Sequence, residues 1–295
     1  DNILRFPPQS GPLRSVSTPA PTPVPTARAG AASTRASGGG GDTEFYSCGP
    51  GCAGLTTPAV LQTRYGYPTL QSAQPESKIS VAEFQFQYYD SADLENYSDL
   101  CDVTVTVNET LGGNQEAVCT NKYGACVEAL LDIEVIGAVA SPIPLQVAYS
   151  SSFSILDWIT NVVQEQENPA PVQSVSYGND EAQQTSAEYM EAVNTQFMAA
   201  GALGLSIFFA AGDQGVWGRS GVGETFHPDF PAGSPYVTAV GGTNFAAKSV
   251  IGDETAWSCG GGGFSDEFSQ PAWQSDHVAQ YFKSAKSLPD ARLFN

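Results

Sequence analysis

Leu205-Ser206-Ile207-Phe208-Phe209-Ala210 leads at once into Ala211-Gly212-Asp213. A short apolar run that ends in glycine is the pattern of a buried strand. The same kind of segment recurs on both sides of it. Val172 to Tyr177 is expected as strand, Ala187 to Ala202 as helix and Tyr236 to Val240 as strand. Upstream, Thr57-Pro58 opens a helix through Arg64, with Thr as N-cap and Pro at the first helical position. Ile79 to Phe86 then gives a strand, Asp90 to Leu100 a helix, Leu145 to Tyr149 a strand and Phe153 to Gln166 an amphipathic helix. This alternation predicts an α/β fold with a mainly parallel sheet and helices on both faces. In such folds the site lies beyond the carboxyl ends of the strands. Ser176-Tyr177-Gly178 and Ala211-Gly212-Asp213 are placed there.

Glu128-Ala129-Leu130-Leu131-Asp132 lies inside the apolar run Cys126 to Ala140. Residues four apart share one helix face, with Cβ atoms about 6 Å apart. The rest of the run is apolar nearly all round, which predicts a buried helix. Two neighbouring acids in a dry site split their proton affinities, the arrangement of acid–base chemistry at low pH. Glu134 points about 200° away from Asp132 and is expected to be structural or solvated. The bland alternative for the pair is a solvated stripe or a salt bridge. With 12 Lys and Arg against 31 Asp and Glu, the chain has few cations to neutralise buried acids.

The 295 residues contain 41% hydrophobic residues, 30 Gly and 20 Pro, as in a loop-rich globular protein. A net charge of −19 excludes a general phosphate-binding surface, and with it nucleic acid as a partner. No apolar run reaches the length of about 20 residues that a membrane helix needs. Residues 1–44 are rich in Pro, Thr, Ala, Ser and Gly, and are expected to be a linker or disordered propeptide junction ahead of a domain spanning 45–295. An even set of six cysteines fits disulfides in an oxidising compartment. Cys119 and Cys126 flank a turn just before the acidic helix. Zinc at Cys48-x-x-x-Cys52 is the rival, weakened by only two His in the chain. The sequons Asn96-Tyr-Ser98 and Asn108-Glu-Thr110 agree with a secretory route.

Downstream stand Phe230-Pro-Ala-Gly-Ser-Pro-Tyr-Val-Thr-Ala-Val-Gly-Gly-Thr243 and Ser258-Cys-Gly-Gly-Gly-Gly-Phe-Ser265. Together with Thr57-Pro-Ala-Val-Leu61, the E-x-x-x-D helix, Val175-Ser-Tyr-Gly178 and Gly212-Asp213, they make the chain resemble the sedolisin family of serine-carboxyl peptidases from about Leu55 to Asn295. That family includes lysosomal tripeptidyl peptidase and fungal acid endopeptidases. The resemblance implies a subtilisin-like fold in which Glu128 is the general base, Asp132 holds and tunes it, and Asp213 stands in the oxyanion hole. It also implies substrate binding along Ser176, Tyr177 and Gly178, faced by Ser258, Gly260, Gly261 and Gly262. A protonated Asp can donate a hydrogen bond to an oxyanion, which suits acid pH or a raised pKa. A Ser-His-Asp triad is disfavoured, since His227 falls in a loop and His277 on an expected surface helix.

The family's nucleophile lies in a G-T-S-A type motif downstream of the glycine-rich stretch, and residues 1–295 do not include it. The family's calcium site is likewise expected outside this chain, and no metal ligand within it is assigned. The expectation is therefore a two-chain enzyme, with a complementary C-terminal chain bringing Ser and calcium and completing an otherwise exposed sheet edge. Its substrate would be a peptide or protein, with a propeptide as a further partner. Its compartment would be secreted, lysosomal or vacuole-like. Tripeptide release and internal cleavage are both compatible with the sequence. Competing functions are a catalytically silent sedolisin-like binding or scaffold protein and, from the acids alone, a two-carboxylate glycosidase. Asn179-Asp180-Glu181 is expected to be a solvated turn, with capture of a free amino terminus as the alternative.

Overall fold

A computed structural model describes residues 55–121, 125–245, 254–285 and 287–290. The segment 1–44, Cys48 and Cys52 lie outside these described residues. The main sheet has six parallel strands in the order β2-β3-β1-β4-β6-β8. They are β1 (Ile79–Phe84), β2 (Val107–Leu111), β3 (Leu145–Ser150), β4 (Val172–Val175), β6 (Ser206–Ala210) and β8 (Thr238–Val240). Antiparallel pairs join β5 (Asn179–Asp180) to β7 (Asp229–Phe230), and β9 (Thr243–Phe245) to β10 (Glu254–Ala256).

Helices α1 (Pro58–Tyr65), α2 (Ser91–Cys101), α3 (Ala117–Asn121), α4 (Val127–Ala140), α5 (Ile155–Thr160), α6 (Ala187–Ala202) and α7 (Ser275–Ser284) complete the order. Period-two side-chain direction divides β1 between two cores. Ala82 and Phe84 pack with Ile159, Val193 and Phe197 of α5, α6 and their surroundings. Val81 packs on the other face with Leu94, Ala129 and Ile133 of α2 and α4. Glu83 has the parity of Val81, so it points toward α4.

The strand at Ile79 stops at Phe84, two residues short of expectation, because Gln85 and Phe86 turn the chain with φ of 52° and 69°. Helix α5 widens into a single π turn at Asn161–Glu165 rather than continuing regularly. The expected burial of α4 is corrected. Ala129 and Ile133 are fully buried, but Val127 and Leu131 on its other face are about half exposed, at 53% and 54%. Thr57 caps α1 as anticipated, accepting from the Val60 N–H.

Candidate active site

Helix α4 carries Glu128 in its first turn and Asp132 one turn later. Its start is fixed without a side-chain N-cap. The Cys119–Cys126 disulfide, with a Cα–Cα distance of 5.4 Å, anchors the residue just before the helix. The buried Gln87 side chain accepts from the Glu128 backbone N–H at 3.2 Å. This satisfies one of the donors that a helix leaves open at its first turn.

Glu128 is buried, and its carboxyl is pushed up to about 8 by burial and by the repulsion of Asp132 and Asp213. Asp132 is raised to about 6 by burial, opposed by a hydrogen bond from Ser176. Its Oδ2 has no hydrogen-bond partner among the described residues. Asp213 lies just past the carboxyl end of β6, and burial raises it while Arg219 opposes the shift. The acids expected from the sequence therefore converge. Ser176 at the end of β4 touches one of them.

A further acid belongs to the cluster. Glu83 has no exposed surface and is raised well above the usual carboxylate range by burial, Asp132 and Glu128. The Tyr177 hydroxyl donates to Glu83 Oε2 at 3.0 Å and accepts from the Phe84 N–H at 3.3 Å. The signal in the sequence was an acid inside Ile79-Ser-Val-Ala-Glu-Phe84, a strand buried on both faces. Tyr177, anticipated along the substrate strand, turns its side chain inward. It is 1% exposed and meets the Phe84 ring edge-on at 4.9 Å. Only its backbone is available to a ligand at that position.

The glycine-rich segment closes on the Asp213 turn. Gly261 donates its N–H to Gly212 O at 2.6 Å, and Gly215 donates to Cys259 O at 2.8 Å. A Cβ on Gly261 would lie 2.0 Å from Ala211 O, so this approach requires glycine. Ser258 is exposed, Gly260 and Gly261 are partly exposed, and Gly262 is exposed beside them. The solvated turn expected at Asn179-Asp180-Glu181 is corrected, since all three residues are buried. Asp180 accepts from the Arg219 and Ser220 N–H groups, and Glu181 accepts from Ser265 Oγ and the Asp266 N–H. Both carboxyls are spent on loop structure, which removes them as receptors for a free amine.

His277 lies on α7, a helix without a buried residue, and His227 in a loop, as expected. No described group of three or more His, Cys, Asp or Glu residues is arranged to hold a metal ion. No described helix is long and apolar enough to cross a membrane.

Comparison with known proteins matches residues 132–284 to the subtilase family. Tripeptidyl-peptidase 1 of Mus musculus is 37% identical over 252 residues, covering 81% of this chain and 43% of the relative. The Rattus norvegicus protein is 36% identical, covering 84% and 45%. The chain thus spans less than half the length of these relatives. Among solved structures, Pseudomonas sedolisin, described as a serine-carboxyl proteinase complexed with pseudo-iodotyrostatin, aligns with a TM-score of 0.59 and 25% identity. That alignment covers 74% of this chain and 65% of the other. With the parallel sheet and the ordered motifs, these likenesses assign the chain to the subtilase family of peptidases, as a sedolisin-like member.

Proposed function

We propose that the protein is an acid-active serine-carboxyl peptidase that cleaves peptide bonds through a seryl acyl-enzyme. The observation that carries this reading is the convergence of Glu128, Asp132 and Asp213 at the strand ends, with Glu83 behind them. Glu128 takes the proton of the attacking hydroxyl and delivers it to the leaving amine as the C–N bond breaks, while Asp132 holds and tunes Glu128. Asp213, protonated, donates to the oxyanion of the tetrahedral intermediate. A hydroxyl donating to Glu128 favours its charged form and draws its proton affinity back toward the acid range. Asp213 loses its donor proton as pH rises, which ends activity on the alkaline side.

The nucleophile is assigned to a further part of the protein, beyond residues 1–295. Two surfaces support that assignment. All three residues of the edge strand β8 are exposed, including Val240 at 53%, and α7 leaves Tyr281 and Phe282 about half exposed. A continuing sheet and its helices would cover them. Calcium would bind in that further part, and nothing in the steps above is routed through it. A propeptide preceding the domain and a secreted or lysosome-like acidic compartment belong to the same reading.

The test is incubation of the full-length protein with peptides of varied length at acid pH, with products identified by mass spectrometry. Release of tripeptides from free amino termini assigns an exopeptidase, and internal cuts assign an endopeptidase. No cleavage at any pH would contradict the proposal and leave a silent binding protein as the reading.

A further inference from the structure

Behind the Asp213 turn lies a buried charge cluster that the proposed chemistry does not use. Arg219 Nη1 donates to Asp229 Oδ2 at 2.7 Å and sits 3.7 Å from Asp180 Oδ1. The three side chains are 8%, 7% and 0% exposed. Asp180 in β5 pairs directly with Asp229 in β7, which brings the two carboxyls to one point. Arg219 neutralises one charge of two, and its own N–H further binds Asp180.

The Asp229 carboxyl is wedged between the two catalytic segments. A Cβ on Gly178, at the end of Ser176-Tyr177-Gly178, would lie 2.2 Å from Asp229 Oδ1. A Cβ on Gly212, at φ +102°, would lie 3.0 Å from Oδ2. Both segments therefore touch this carboxyl where they have no side chain. Oδ1 has no hydrogen-bond partner among the described residues. A buried ion pair with an unsatisfied oxygen is weak evidence for stability. Its location points to another use.

We propose that the Arg219–Asp229 pair is a positioning device for Asp213, which ties the substrate strand to the oxyanion turn and sets the charge that the Asp213 carboxyl faces. This rests on the peptidase reading above. The charged groups around Asp213 are Arg219 and Asp229 behind it and Glu128 across the site. Exposed Glu224 and the partly buried His227, whose backbone N–H binds Val216 O, are the other titratable groups of the intervening loop. The segment 257–263, packed on the turn, brings only the Cys259 thiol. Arg219 lowers the proton affinity of Asp213, and Asp213 raises that of Asp229. The repulsion is reciprocal, so an ionised Asp229 raises that of Asp213 in turn. The two partners thus act on Asp213 with opposite sign.

The experiment measures kcat and KM of full-length protein against pH for R219Q, R219K and D229N. The alkaline limb of kcat is expected to move up in R219Q and down in D229N, and to stay in place in R219K. In R219Q and R219K, kcat falls about tenfold while KM changes less than about threefold, because the lost contact acts on the transition state and Lys lacks the planar fork of Arg. A merely structural pair would shift neither limb, or both in one direction, and either result overturns the proposal. If R219Q fails to fold, the downward shift in D229N against R219K decides alone. An inactive parent protein would instead sink the peptidase reading, whereas an active, Glu128-dependent parent whose limb ignores both substitutions would sink only this one.

Discussion

Tyr177 bridges two buried partners with one hydroxyl, the Glu83 carboxyl and the Phe84 N–H. Tyr177→Phe keeps the ring packing and removes both bonds, leaving two buried polar groups unsatisfied. The expected cost is about 1–3 kcal/mol, read from the midpoint of urea unfolding. Glu83→Gln, in contrast, mimics a protonated carboxyl and is expected to be close to neutral in the same assay. If the glutamine variant loses as much stability as the phenylalanine variant, Glu83 is charged in the folded protein, against the account. At this scale the sequence exposed Glu128, Asp132 and Asp213, since a helix pair and a strand-end turn are local patterns. It hid the Arg219–Asp229–Asp180 cluster, whose members meet only through the two-residue pairing of β5 with β7. Glu83 was legible as a letter but not as a partner of α4, because strand parity has meaning only once the sheet's faces are assigned.

Elements respond to pH through the acids they carry. Glu128 is raised to about 8, Glu134 to about 7 by burial and Asp93, and Asp132 and Asp229 each to about 6. Unfolded carboxyls release their protons near about pH 4. Above that value the folded chain binds more protons than the unfolded one, so stability falls with rising pH. The contribution of these groups is complete below the unfolded pKa and drains away through about 6 and on toward about 8. Melting temperature is therefore expected to drop between acid and mildly alkaline pH, and Glu128→Gln to flatten that drop. A melting temperature that rises over this interval would contradict the burial of uncompensated acids. Close approach gives a second expectation. Gly178→Ala drives a methyl against Asp229 and the Phe230 carbonyl, a misfit of about 1–3 kcal/mol or more, measurable by thermal unfolding. Helix α6 was readable to its residue bounds because its apolar period is long and Ser186 caps it. Strand β2 escaped the reading, since its Val107-Asn-Glu-Thr-Leu111 sequence belongs to an exposed sheet edge with a register shift and shows no buried run.

Across the whole molecule, two cores on opposite faces of one parallel sheet hold four acids near the strand ends. The alternation of strands and helices carried the fold class, whereas the exposure of β8 and α7 is a property of the assembled surface. Co-expression of this chain with the remainder of the protein is expected to cover Val240, Tyr281 and Phe282, seen as increased hydrogen-exchange protection of β8 and α7. Unchanged exchange there would place the nucleophile elsewhere. The most direct test of the central claim is kcat/KM for peptide cleavage at acid pH by full-length protein and its Glu128→Gln variant. Loss of the general base is expected to lower it by at least about 10²–10⁴-fold, with circular dichroism unchanged. Cleavage by the variant at a rate within tenfold of the parent would contradict the assignment of Glu128 and, with it, the carboxyl-based mechanism.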